Sequence, residues 1–122
     1  MANIYTKKHE IECLRAGMAV KIERFAPSPT GLLHLGHAFS ALTAFQSARR
    51  AGGGLLLRIE DIDGLRCKPT FVESIFEDLA WLGIEWQKPP LFQSGRLVAY
   101  QKAVKRLSDM DLTYRCSCSR KD

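Results

Sequence analysis

From residue 19 to residue 25 the chain alternates apolar and charged side chains (Ala-Val-Lys-Ile-Glu-Arg-Phe) with β-branched members, which predicts a strand. Pro27 and Pro29 stop it. Beyond that turn Leu35, Ala38, Phe39, Leu42 and Phe45 recur at helical spacing and predict one core-facing stripe. This helix should end at Gly52, with Arg49 and Arg50 at the negative end of its dipole and the glycine run 52–54 supplying a left-handed cap. Residues 55–59 (Leu-Leu-Leu-Arg-Ile) are short and mostly apolar, as expected of a buried parallel strand. Residues 19–60 therefore read as a strand, helix, strand unit. Thr70 and Glu73 have the spacing of a capping box, and Val72, Ile75, Phe76, Leu79 and Leu82 give a second helix its apolar face. Gly83 closes it and puts Ile84 where it can touch Leu79. Pro89-Pro90 breaks the chain before a third helix near Ser94, whose stripe is Leu97, Tyr100, Val104 and Leu107. Residues 112–119 read as the start of a strand, and residues 1–18 as a polar extension with a short helix around 9–16.

Composition narrows the class without naming a function. The 122 residues are 46% hydrophobic and 25% charged, the profile of one folded domain, and the mean hydropathy is −0.14. The longest apolar run, Leu55 to Leu57, falls far short of the ~18–20 residues of a membrane span. The first twenty residues are interrupted by Lys7, Lys8, Glu10, Glu12 and Arg15, so no secretory signal is read and a cytoplasmic protein is expected. Eighteen basic against thirteen acidic residues leave a net charge of +5, compatible with an RNA or phosphate partner. Cys13, Cys67, Cys116 and Cys118 show no disulfide framework spacing. Trp81 and Trp86 read as core.

In open α/β sheets ligands bind beyond the carboxyl ends of the strands. There the first strand delivers Arg24 and Ser28, and the second delivers Glu60, Asp61 and Asp63. His34 and His37 fall in the first turn of the helix, where unpaired amides and the dipole favour phosphate, and Gly36 between them lets a ligand approach the backbone. Neither a P-loop nor a Gly-x-Gly-x-x-Gly fingerprint occurs. Asp61 and Asp63 are equally well read as a solvated loop or as site residues.

Residues 24–37 (Arg-Phe-Ala-Pro-Ser-Pro-Thr-Gly-Leu-Leu-His-Leu-Gly-His) resemble the nucleotide-binding signature of class I glutamyl-tRNA synthetases, which ends in His-x-Gly-His. Residues 58–63 (Arg-Ile-Glu-Asp-Ile-Asp), Trp81-Leu82-Gly83-Ile84-x-Trp86 and Gln93-Ser94-x-Arg96 are similar to the family's next landmarks in the same order, so the resemblance covers residues 20–120. Ile62, where ordinary members carry Thr, and the ending Tyr114-x-Cys116-x-Cys118-x-Arg120 point within that family toward the shortened glutamyl-Q tRNA(Asp) synthetase branch.

The resemblance implies an α/β fold: the N-terminal half of a class I synthetase Rossmann-like parallel sheet flanked by helices. Residues 19–111 would be the first half of the catalytic domain, and residues 112–122 the start of a zinc-binding insertion. It implies glutamate activation by ATP with Mg2+, then transfer to a tRNA, with queuosine of tRNA(Asp) favoured as acceptor, by a monomer. By similarity Arg24, the segment Phe25, Ala26, Pro27 and Ser28, and Glu60 hold glutamate, while His34, Gly36 and His37 hold ATP, the two imidazoles acting catalytically. Cys116 and Cys118 supply two of the four donors that a tetrahedral zinc needs, half a site. The family's Lys-Met-Ser-Lys-Ser-like loop and the second half of the nucleotide fold do not occur in the 122 residues, so a truncated chain with little or no activity alone is expected. The alternative readings are a fragment of an ordinary glutamyl-tRNA synthetase and a non-catalytic ATP- or tRNA-binding remnant.

Overall fold

The computed structural model describes residues 20–118. The extension 1–18, with Cys13 and the helix expected at 9–16, lies outside the described residues. Alternation produces strand β1 (Ile22–Phe25), followed by helix α1 (Leu35–Arg50), strand β2 (Gly54–Ile59), helix α2 (Pro69–Trp81), strand β3 (Gln87–Phe92), a 3-10 turn (Ser94–Arg96) and helix α3 (Leu97–Asp109). The sheet order is β1-β2-β3, with both pairings parallel. Three parallel strands flanked by helices contain the strand, helix, strand unit expected from the pattern and give the Rossmann-like arrangement that the resemblance implies.

Strand β2 carries the core. Leu55, Leu57 and Ile59 are buried among Phe25 of β1, Ala41 of α1, and Ile75 and Leu79 of α2, with Ile84 closing the cluster. Leu56 and Arg58 alternate to the opposite side, where Ile22, Leu56 and Leu91 remain exposed. The sheet is thus covered on one face among the described residues, and β2 is half-covered where a fully buried strand was expected.

Helix α1 is rotated from the stripe counted in the sequence. Ala41 and Ala48 are its buried residues, supported by Leu42, Ala44 and Phe45, whereas Leu35 and Phe39 are 86% and 73% exposed. Small alanines let the helix axis approach the sheet, so the contact face follows closeness of approach and not side-chain bulk. The C-terminus behaves as expected. Gly52 has φ 63°, and its amide and that of Gly53 donate to the carbonyls of Arg49 and Ala48, a Schellman closure. Gly53 has a separate reason to lack a side chain: a Cβ there would lie 1.8 Å from the Lys21 carbonyl oxygen. Gly53→Ala must therefore move backbone, and it is expected to lower stability by about 2–3 kcal/mol in equilibrium urea unfolding.

Helix α2 buries Ile75 and Leu79 with Val72, Phe76 and Leu82 against the core, as its spacing predicts. Its capping box does not form. Pro69, not Thr70, opens the helix, Lys68 is the N-cap without a side-chain cap bond, and Thr70 uses its carbonyl to accept from Ser74 Oγ. Gly83 (φ 68°) closes it, with Gly83 N–H to Ala80 O and Ile84 N–H to Leu79 O. Trp81 is 86% exposed and is not core, since it falls on the side of α2 away from Ile75 and Leu79; Trp86 is half-buried and stacks on Phe76 at 5.9 Å.

The Pro89-Pro90 break is instead part of a strand. β3 lies at the sheet edge, and its register moves from Leu56↔Gln87 to Arg58↔Leu91, so the prolines sit in the irregularity where fewer ladder donors are needed. Helix α3 forms with the expected stripe, but Leu97, Tyr100, Val104 and Leu107 are all exposed. Residues 112–118 form no strand, having no neighbouring strand to pair with among the described residues.

Candidate active site at the carboxyl edge of the sheet

Main-chain hydrogen bonds fasten the loop after β1 to the segment after β2, and the end of β2 to the end of β3. Glu60 N–H donates to Pro27 O at 3.0 Å, Lys68 N–H to Pro29 O at 3.1 Å, and Gln93 N–H to Ile59 O at 3.0 Å. Pro27 and Pro29 are buried, so the residue type that ended the strand also anchors the loop. A cavity of about 620 Å³ opens above it, lined by Arg24, residues 25–28, Thr30, Gly31, Leu32, His34, His37 and Ser40. The guanidinium and both imidazoles thus meet at one cavity, with the expected segment Phe25, Ala26, Pro27 and Ser28 forming its floor. Glu60 and Gly36 are not among its lining residues. Ser40 and Thr30 were not singled out from the sequence; Ser40 was legible, because it follows His37 by three positions on one helix face.

The histidines do more than line the cavity. His34 is the N-cap of α1 and not a first-turn residue, and its Nδ1 accepts from Gly36 N–H at 3.1 Å. His37 Nδ1 accepts from His34 N–H at 3.2 Å, completing a reciprocal capping box built from imidazoles. The ring centroids are 3.9 Å apart at 41°. With each Nδ1 engaged as acceptor, each neutral ring carries its proton on Nε2, which is left as a donor. The helix end is accordingly less open than the sequence suggests. The Gly36 amide is taken by His34, and the His37 amide donates to His34 O at 2.9 Å. A Cβ on Gly36 would press on the His34 ring at 3.0 Å, so this glycine makes room for the cap.

Burial, aided by the neighbouring His34, holds the His37 imidazole below its ordinary range. The neutral ring is therefore the folded form, and between that lowered value and about 6.5 the unfolded chain binds more protons. Stability should be full above about pH 6.5 and decline as pH falls through the lowered value. Protonated Nδ1 also loses its role as acceptor. Thermal unfolding followed from pH 8 to pH 5 is expected to show a falling midpoint that His37→Asn, with no titrating ring, reduces.

Each acidic residue at this edge already has a partner. Arg58 Nη2 pairs with Glu60 Oε1. Asp61 accepts from Ser94 N–H at 2.9 Å and Ser94 Oγ at 2.6 Å; burial pulls its carboxyl upward, but these bonds, together with the Asp61 and Gln93 amides, outweigh it and hold it below the usual carboxylate range. Asp63 is kept low by Arg66, whose Nε lies 2.7 Å from Oδ2. Asp61 and Asp63 are thus ties within the scaffold. Arg24 forms no ion pair among the described residues.

Cys116 and Cys118 are both exposed, and the Cys118 amide and thiol hold the Cys116 thiol below its ordinary range. No group of three metal-binding side chains occurs among the described residues. Two thiols fit half of a tetrahedral set and no more.

Residues 20–122 match the family model for the catalytic domain of class I tRNA synthetases (E and Q). The chain belongs to this family. Among its relatives, the glutamyl-Q tRNA(Asp) synthetase of Rhodobacter capsulatus is 57% identical over 101 residues, which are 83% of this chain and 36% of that protein. The glutamate–tRNA ligase of Nostoc sp. is 52% identical over 99 residues, 81% of this chain and 20% of that protein. The crystal structure of the glutamate–tRNA synthetase from Elizabethkingia anophelis superposes with a TM-score of 0.70 at 36% identity, over 75% of this chain and 20% of that one. This class I synthetase chain therefore spans about a fifth to a third of these three relatives. No helix among its described residues is long and apolar enough to cross a membrane.

Proposed function

We propose that the polypeptide carrying these residues activates glutamate with ATP and transfers it to a tRNA, with the queuosine base of tRNA(Asp) as acceptor. The observation that carries the reading is an exposed arginine, without a carboxylate partner among the described residues, sharing one cavity with two imidazoles whose Nδ1 atoms are engaged and whose Nε2 atoms are left as donors. A planar guanidinium binds a carboxylate through two parallel bonds, so Arg24 takes the side-chain carboxylate of glutamate. The Phe25, Ala26, Pro27 and Ser28 segment shapes the pocket, the Ser28 hydroxyl adds a hydrogen bond, and Glu60, whose N–H is bonded to the lining residue Pro27, holds the substrate ammonium. His34 and His37 donate from Nε2 to the phosphates. Gly36 serves the phosphate site through the His34 ring it accommodates.

In the first step an oxygen of the glutamate α-carboxylate bonds to the α-phosphorus of ATP as the bond to the bridging oxygen breaks, releasing pyrophosphate and leaving glutamyl-adenylate. In the second step an acceptor hydroxyl attacks the glutamyl carbonyl and AMP leaves. Charge builds on phosphate oxygens in the first step, where fixed donors lower the barrier. Magnesium bound with ATP would supply charge neutralisation at the phosphates; Glu60, Asp61 and Asp63, already engaged by Arg58, Ser94 and Arg66, are not offered as its ligands. Zinc at Cys116 and Cys118 would need donors from elsewhere, and no step depends on it.

Ile62 and the 57% identity to a protein named glutamyl-Q tRNA(Asp) synthetase support the queuosine acceptor. The 52% identity to a glutamate–tRNA ligase supports a second reading, charging of tRNA(Glu) for translation. Radiolabelled glutamate offered with queuosine-containing tRNA(Asp), queuosine-free tRNA(Asp) and tRNA(Glu) separates them. Label on the first alone is the expected result, label on tRNA(Glu) establishes the second reading, and glutamate-independent ATP–pyrophosphate exchange overturns both.

A further inference from the structure

Strand alternation places Arg58 and Glu60 on the same side of the sheet, at and just beyond the end of β2. The Glu60 main chain has little freedom, because its N–H is bonded to Pro27 O and its carbonyl accepts from Cys67 Sγ at 3.8 Å. What is left to fix is the carboxylate, reached through three rotatable bonds. Arg58 Nη2 holds it by Oε1, and both side chains are about two-thirds shielded, 27% and 31% exposed. The contact is one-sided. Oε2 accepts no hydrogen bond among the described residues, and Arg58 Nε is buried without an acceptor. A guanidinium and carboxylate paired for mutual stability would use the two-bond fork and satisfy both.

From this geometry we infer that Arg58 is a positioning residue: it fixes Glu60 through one carboxylate oxygen and leaves the other available to the ammonium group of the amino-acid substrate. The inference rests on the reading above that Glu60 binds that ammonium. Arg58 itself touches no substrate, and it removes the rotamer search that Glu60 would otherwise make with each binding event. Lysine can keep the charge and one bond but not the planar orientation, so it should replace arginine only in part.

The test uses the full-length polypeptide that carries residues 1–122, in glutamate-dependent ATP–pyrophosphate exchange. Arg58→Met is expected to raise the KM for glutamate about ten- to hundredfold while the KM for ATP stays within about twofold, and Arg58→Lys to recover part of the loss. Glu60→Gln should raise the glutamate KM as well, and adding Arg58→Met to it should change that constant by less than about twofold, since the two act as a unit. If Glu60→Gln raises the glutamate KM while Arg58→Met does not, or if the two effects multiply, the positioning role is wrong. Equal rises in both KM values for Arg58→Met and Arg58→Lys would reduce Arg58 to a folding contact and overturn it too. If Glu60→Gln leaves the glutamate KM untouched, the ammonium reading itself fails, and the inference falls with it.

Discussion

Replacing His37 by asparagine in the full-length polypeptide is expected to lower glutamate-dependent ATP–pyrophosphate exchange by about 10²–10³ while leaving the fold in place. The two jobs of this ring are borne by different nitrogens. Nδ1 caps the helix by accepting from His34 N–H at 3.2 Å, and Nε2 is the donor assigned to phosphate. Asparagine oxygen can occupy the Nδ1 position and keep the cap, but nothing replaces Nε2. Glutamine is the complementary probe, because its amide nitrogen reaches the Nε2 position and it has no acceptor near Nδ1. His37→Gln should therefore retain more activity than His37→Asn and be less stable, by about 1 kcal/mol as for loss of an N-cap. Exchange rates and urea midpoints measured on the same preparations decide it; a variant order that is the same in both assays would contradict the division of labour.

The largest stability effect is expected at Leu79. Its side chain is fully buried between α2 and β2, and its carbonyl accepts from Ile84 N–H at 2.9 Å in the closure of the helix. Leu79→Ala removes the contact that seats Ile84 and opens a cavity beside Ile75 and Ile59, costing about 3–4 kcal/mol in urea unfolding. Against a typical total of about 5–15 kcal/mol this is a large fraction. Leu65 is the control, since at 96% exposure its replacement by alanine should stay within about 0.5 kcal/mol.

The parts of the fold that were legible are those where local chemistry and tertiary packing agree. Leu79, Gly83 and Ile84 declare a helix end in the sequence, and the structure closes the helix with those residues. The same holds for Arg49, Arg50 and Gly52. Strand β3 was hidden because Pro89 and Pro90 argue locally against any strand, and only an edge position with an interrupted register tolerates them. The stripe of α1 was misplaced because periodicity weighs large residues, whereas Ala41 and Ala48 set the approach to the sheet. At the site, residue types and spacing put Arg24, His34, His37 and Glu60 at one edge of the sheet; the first three line one cavity and Glu60 does not. The imidazole cap was not legible, because side-chain capping is ordinarily assigned to Ser, Thr, Asp and Asn. Whether Asp61 and Asp63 serve chemistry or scaffold could not be read from the string: their partners are Arg66 nearby and Ser94 in a distant segment.

The main-chain bonds that Glu60 and Lys68 donate to Pro27 and Pro29 tie the loop after β1 to the segment after β2, and the bond from Gln93 to Ile59 ties that strand's end to β3, so loop and sheet edge are one unit in a mechanical sense. Their amides should exchange with deuterium at the pace of β2, as one cooperative unit. The ordering entropy of the cavity is then lost once, when the chain folds, and any ligand that enters meets groups already held in place.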